Sequence, residues 1–192
     1  MLAQSSIAPT ADVALDVLLD DETYVVHASA RLAADQRLVW STLTDYERLR
    51  EFVPGVTRAR VLERRGERLT IEQIGVFTVW FVDLPVKLRL LVEHTPYTTI
   101  VAKLAADAAA RDESTLRRFT GAYRLTPIRL PQGAGVRLDY DASFALERPL
   151  PPLIDRLFGV AAVRRTMREQ FDAMLREIAR RQAALAAAEP AG

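Results

Sequence analysis

Apolar residues alternate with polar ones through most of the chain, then switch to a spacing of threes and fours near its C-terminal end. Residues 24–32 begin the first regime. Tyr24, Val26, Ala28, Ala30 and Leu32 share one face, and His27, Ser29 and Arg31 the other, the period of a half-buried strand. Asp35 then stands where a helix N-cap belongs, ahead of a stripe made by Leu38, Val39, Leu43 and Tyr46 with Trp40 at its edge. That helix is predicted to stop near Phe52, because Pro54-Gly55 cannot continue it. Six more strands follow, over 56–64, 69–75, 84–94, 99–106, 116–125 and 136–146. Arg65-Gly66 and Thr95-Pro96-Tyr97 supply turns, a polar stretch at Asp112 to Ser114 breaks the run, and a long loop is expected at 126–135 with Pro127, Pro131, Gly133 and Gly135.

Pro149, Pro151 and Pro152 end the sheet. From about residue 153 to 188 the period is helical: Leu157, Val160, Val163, Met167, Phe171, Met174 and Ile178 recur on one face. Arg165, Arg168, Glu169, Asp172, Arg176 and Arg180 fall opposite, a solvated face with i,i+4 pairs such as Asp172 with Arg176. Residues 1–22 read as a lead-in with an acidic end, and Val13, Leu15, Val17, Leu18 and Leu19 suit either a strand or a short helix. The remainder, 23–188, reads as one domain without internal repeat or linker.

An antiparallel sheet with one apolar face needs a cover, and only the long C-terminal helix is large enough. The predicted class is therefore α+β, a helix-grip arrangement in which a curved antiparallel sheet wraps a long C-terminal helix. The predicted inner faces carry many small residues: Ala28, Ala30, Ala59, Ala102, Ala106, Gly121 and Ala142 on strands, and Ala161, Ala162 and Ala173 on the helix. Small residues facing each other mean either close approach of the elements or unfilled volume, since interiors otherwise pack to crystal-like density. Their recurrence across several elements favours a cavity.

Composition removes several function classes. The chain of 192 residues holds no cysteine, so disulfides, thiolate nucleophiles and cysteine-ligated metals are out. A net charge of +1 gives no field for nucleic acid. No apolar run is long enough to span a membrane, and residues 1–10 lack the pattern of a secretory signal, so a cytoplasmic protein, peripheral to a membrane at most, is expected.

Val39-Trp40-Ser41-Thr42-Leu43-Thr44-Asp45-Tyr46, followed by Phe52-Val53-Pro54-Gly55-Val56, resembles the signature of the START-like SRPBCC superfamily. Within it, the polyketide cyclase/dehydrase and coenzyme Q-binding group is most similar. Phe119, Gly121, Tyr123 and Leu125, with the segment from Gly135 to Tyr140, resemble that group's last hairpin, and the likeness runs from about residue 23 to 181. It implies a helix-grip fold around a deep apolar cavity, in a family whose members bind quinones, lipids, sterols or polyketides. One scaffold serving so many ends does not fix the function.

The candidate chemistry is sparse. His27 and His94 are the only histidines and have no metal-ligand spacing. Alternation puts His27 outside and His94 inside at a strand end, where it either meets a ligand carbonyl or bonds to the turn. Asp139, Asp141, Ser29 and Ser143 point outward, so neither a paired-carboxylate nor a serine site is expected, and no phosphate-binding or nucleophile-elbow motif occurs. The polar groups expected inside are Gln73, Tyr123, Tyr140 and Arg117, to be satisfied by one another or by a ligand. The apolar part of the site is assigned to Phe77, Trp80, Phe81, Leu88, Leu90, Phe144, Val163, Met167 and Phe171. The stretch from Val76 to Leu84 is nearly continuous in apolar residues, as expected of a strand end buried on both sides, a cavity lid or an edge that touches a membrane. Leu150, Pro152 and Leu153 are placed at the same opening.

These readings point to a protein that binds and shields a hydrophobic small molecule (a polyprenyl quinone, a lipid or a polyketide-like compound) as its carrier or chaperone, with no cofactor, no catalytic residues of its own and transient membrane contact. A cyclase or dehydrase acting on a polyketide is the alternative, and a protein- or ribosome-interaction module a further one. Oligomeric state is left open.

Overall fold

The computed structural model describes residues 13–79, 82–106, 114–147 and 159–188. Trp80, Phe81, Leu150, Pro152, Leu153 and Leu157 lie outside the described residues. Eight strands form one antiparallel sheet: β1 (Val13–Asp20), β2 (Thr23–Leu32), β3 (Val56–Arg65), β4 (Arg68–Val79), β5 (Val82–Thr95), β6 (Thr99–Leu104), β7 (Leu116–Leu130) and β8 (Gly133–Leu146). Their order across the sheet is β1-β2-β8-β7-β6-β5-β4-β3. The chain thus enters at one edge and crosses to the other edge by way of two helices, α1 (Gln36–Leu43) and α2 (Leu49–Phe52), with a 3-10 turn (Tyr46–Arg48) between them. The long helix α3 (Val160–Ala188) lies against the concave side, reaching β1 and β2 at one margin and β4 at the other. This is the curved sheet and gripped helix that the pattern predicts.

The ambiguous segment after residue 12 is a strand. Val13, Leu15 and Val17 pair in register with Ala30, Ala28 and Val26, so its alternation matches that of β2. As an edge strand it exposes carbonyls, and α3 covers two of them: Arg164 donates to the Val17 carbonyl at 3.3 Å and Arg168 to that of Val13 at 3.1 Å.

The segment predicted as one helix is three short pieces. Asp35 caps α1 as expected, its carboxylate accepting from the amides of Arg37 (2.8 Å) and Leu38 (3.1 Å). Gly55 takes φ +79°, and its carbonyl accepts from the Val76 amide at 2.8 Å, so the Pro54-Gly55 turn sits directly on β4. Only a glycine at 75 leaves room for that approach, because a Cβ there would run into the Gly55 carbonyl.

Four expectations need correcting. The loop expected at 126–135 is mostly ladder: β7 and β8 pair out to Leu130 and Gly133, leaving a two-residue turn. Pro127 and Pro131 did not stop the strands, because proline removes only one donor, which a hairpin arm and its turn can spare. Ala106 and Ala161 are exposed rather than inward, since the strand ends at Leu104 and Ala161 falls on the solvent side of α3. Asp172 pairs with Arg168 at 3.7 Å, the i,i+4 partner on its N-terminal side, and not with Arg176.

Candidate functional site

Sheet register explains why the interior is hollow. Across five strands one row reads Val92, Ala102, Gly121, Ala142 and Val26. Its centre has nothing larger than a methyl group, so the floor under α3 is low. The rows on either side are aromatic. On one side Phe119, Phe144 and Tyr24 stand in register, with the Tyr24 and Phe144 rings stacked at 5.3 Å. On the other, His94, Ile100, Tyr123, Tyr140, Ala28 and Leu15 form a row through six strands. The large rings act as props that hold the helix layer away from the floor. A cavity of about 720 Å³ results, within the range of ligand pockets.

Most residues assigned to the site from sequence line this cavity. Gln73, Phe77, Leu88 and Leu90 do so from β4 and β5, and Tyr123, Tyr140 and Phe144 from β7 and β8. Val163, Met167 and Phe171 form its roof on α3. Trp80 and Phe81 fall outside the described residues. Lining residues that are exposed (Gly55, Val76, Pro85, Lys87 and Glu147) mark the end where the cavity meets solvent, beside the β4–β5 hairpin and the start of α3.

Two assigned residues are elsewhere. Arg117 is exposed and pairs with Glu22 at 2.8 Å. A bulge between Leu116 and Arg118 shifts the β7–β8 register there, so the alternation that places Phe119, Gly121 and Tyr123 inward no longer carries Arg117 with them. His94 is buried but sits behind the wall. Its Nε2 lies 2.7 Å from the Tyr46 hydroxyl, and its backbone amide donates to the Glu67 carbonyl at 2.9 Å. Trp40 meets it edge-on at 5.2 Å.

Tyr46 is among the lining residues that the sequence reading missed, since it sits on the helix stripe and reads as core. Its signal was chemical: a phenol on an apolar face must find a polar partner. Burial pushes the Tyr46 hydroxyl well above the ordinary phenol range, against a smaller lowering from Arg64. Burial also raises Tyr123, with further contributions from Tyr140 and Tyr46, and raises Tyr140 to about 12. All three phenols therefore stay neutral at physiological pH. The Tyr123 and Tyr140 rings stack at 4.5 Å, and among the described residues neither hydroxyl has a hydrogen-bond partner. His94 is lowered by burial first, raised by Glu67 and lowered by Arg64.

The outward residues behave as expected. His27 bonds Asp141 at 2.7 Å, Asp139 pairs with Arg137 at 2.9 Å, and Ser143 shares a hydrogen bond with Thr120. Among the described residues no cluster could hold a metal ion, and no helix is long and apolar enough to cross a membrane.

An open antiparallel sheet gripping one long helix around an apolar hollow defines a helix-grip protein of the START type. The chain belongs to the family described as polyketide cyclase/dehydrase and lipid transport, whose model matches residues 23–181. Among solved structures it is similar to the Zhui aromatase/cyclase of a Streptomyces species, at 18% identity and a TM-score of 0.65, covering 83% of this chain and 95% of that one. A STAR-related lipid transfer protein from Xanthomonas axonopodis matches at 14% identity and a TM-score of 0.59, covering 85% and 98%. A START superfamily protein from Mycobacterium smegmatis matches at 14% identity and 0.56, covering 84% and 98%. Identities this low establish the shared fold. None of the curated proteins compared matches the chain.

Proposed function

We propose that the protein binds a largely apolar small molecule in this cavity and shields it from water, as a carrier or chaperone for a polyprenyl quinone, a lipid or a polyketide-like compound. The observation that carries this reading is the cavity itself: about 720 Å³ walled mainly by aliphatic and aromatic side chains, with phenols, the amides of Gln73 and Gln170, and Ser114, Thr115, Lys87 and Glu147 as its polar groups. Such a surface left to water is costly, and an apolar ligand recovers about 25 cal/mol for each Å² it covers. Native mass spectrometry of the purified protein, with organic extraction of what it carries, tests the reading. A stoichiometric quinone or lipid supports it. A clean apo mass, with no added quinone or lipid raising the melting temperature, overturns it.

A second reading, a cyclase or dehydrase acting on a polyketide, has one observation in its favour: Tyr46, Tyr123 and Tyr140 bring neutral phenols to the cavity, and His94 stands behind the first. It requires turnover of a poly-β-keto substrate that falls with Tyr123→Phe and Tyr46→Phe.

A further inference from the structure

We propose that Tyr46 is a subsite for a ligand hydroxyl, acting as a hydrogen-bond acceptor because His94 takes its proton, and that protonation of His94 turns it into a donor for a ligand carbonyl. This rests on the cavity being a ligand site.

A phenol has one proton to give and lone pairs to accept with. A neutral imidazole has one N–H and one bare nitrogen, and its surroundings select which is which. The Nδ1 of His94 faces the Glu67 carboxylate, with 3.8 Å between Nδ1 and Oε2. A bare nitrogen turned towards a carboxylate is repelled, so the proton sits on Nδ1. Nε2 is then an acceptor, and at 2.7 Å its partner can only be the Tyr46 O–H. The tyrosine has thereby used its proton. What it can still offer the cavity, whose wall it forms, is lone pairs.

The groups packed around the imidazole keep this state in place at neutral pH. Trp40 of α1 and Tyr46 of the 3-10 turn enclose it with aromatic surface. Ile100 of β6 stands beside it in the sheet. Glu67 in the β3–β4 turn and Arg64 on β3 act in opposite directions, and burial adds to the side of Arg64. The neutral imidazole is thus the resident form. Acid changes the count: both ring nitrogens become donors, Nε2–H donates to the tyrosine oxygen, and the phenol proton turns to the cavity.

Tyr123 supplies an independent sign that a ligand belongs at this end. It stands in the same row as His94, one strand beyond Ile100, and it is close enough to Tyr46 and Tyr140 that their charges would disfavour its own. It is half-buried in the cavity wall, and among the described residues its hydroxyl is unpaired. A few polar groups placed in an apolar wall are what orients a ligand. Tyr123 and Tyr140 can give or take a hydrogen bond and so accept either oxygen type, which leaves Tyr46 to discriminate. The favoured occupant is an apolar body with a hydroxyl at its buried end.

Calorimetric titration with androstanol, androstanone and their parent hydrocarbon androstane tests this, because the first two differ only in the oxygen. At about pH 7.5 androstanol should bind about tenfold more tightly than androstanone, the worth of one hydrogen bond that the ketone leaves unmade. As the pH is lowered below the ordinary histidine range and His94 takes up its proton, the preference should shrink or invert. Tyr46→Phe should bind both steroids alike while keeping its affinity for androstane, which shows that the variant is folded. His94→Gln should lose the pH dependence. Equal binding of alcohol and ketone by the unaltered protein, or a preference that survives Tyr46→Phe, overturns the subsite and leaves the carrier reading standing. Failure of all three probes, androstane included, overturns the subsite, and the carrier reading then rests on the quinone and lipid test alone.

Discussion

The hydroxyl of Tyr46 and the Nε2 of His94 are 2.7 Å apart, and that contact joins the cavity wall to a buried imidazole that Glu67 and Arg64 flank. It has a consequence for stability as well as binding. Burial lowers the proton affinity of His94 in the folded protein, so the unfolded chain binds the proton more tightly. Stability therefore rises with pH up to the ordinary histidine value, near 6.5, and falls as pH drops below it. The melting temperature should decline from about pH 7 to about pH 5, and His94→Gln should flatten that decline. An unchanged slope in the variant would assign the decline to other groups.

Cavity-lining and core residues should respond differently to truncation. Leu138 is fully buried in the packed part of the interior, opposite Ala30 and Leu125. Leu138→Ala should cost about 2–5 kcal/mol, the transfer loss plus a new void. Met167 is only half-buried and faces space that is already empty. Met167→Ala should cost about 1 kcal/mol or less, because it removes less buried surface and opens no new void. Urea unfolding with equal slopes for the two variants would give the comparison directly.

The sheet, the long helix and most of the cavity wall were legible because alternation and helical period report burial on one face, and β2, β5 and α3 keep those periods without interruption. The failures fall where period and burial part company. Arg117 was misplaced because a bulge is a one-residue event that alternation cannot reveal. Pro127 and Pro131 read as loop because a local donor count ignores what the opposite strand supplies. Tyr46 was hidden for a different reason: its partner His94 is 48 residues away, and only the closed fold brings the two together. The hollow itself was half-visible. Small residues on several elements were apparent, but the row from Val92 to Val26 exists only through the register of five strands.

That row gives a direct way to close the cavity. Ala102 lies on its floor between Val92 and Gly121 and lines the empty space. Ala102→Phe should place a ring in that space, weaken binding of an apolar probe at least about tenfold and leave the melting temperature unchanged or higher, because the ring fills a void instead of displacing packed atoms. Gly121 is a poorer position, since a Cβ there would meet the Phe119 ring at 3.0 Å. Loss of binding with a lowered melting temperature would mean that the floor is already in contact with the helix layer.

A clamp of charged side chains holds α3 to the helical crossover. Glu177 is 8% exposed and accepts from Arg180 and from Arg181, each at 2.7 Å. Arg181 reaches on to Asp45 at 2.8 Å and lies over the Phe52 ring, so one guanidinium ties α3 to both α2 and the 3-10 turn that carries Tyr46. The hydrogen bond from Arg180, opposed by burial and reinforced by Arg181, holds the Glu177 carboxyl at about 2. A folded-state value below the unfolded one stabilises the protein at all pH above the ordinary carboxylate range, and that contribution is lost as pH falls from about 4.5 towards 2. Glu177→Gln should therefore cost about 1–2 kcal/mol at neutral pH, between the worth of an exposed pair and of a fully buried one. The variant and the parent should converge in stability as pH falls towards about 2, where the parent's carboxylate is being protonated. Because Arg181 also positions the turn, Arg181→Ala should weaken the androstanol preference as well as the fold, whereas Glu177→Gln, which leaves the Arg181–Asp45 pair in place, should lower stability and spare the preference. Equal effects of the two variants on ligand choice would show that the clamp acts on the cavity only through overall stability.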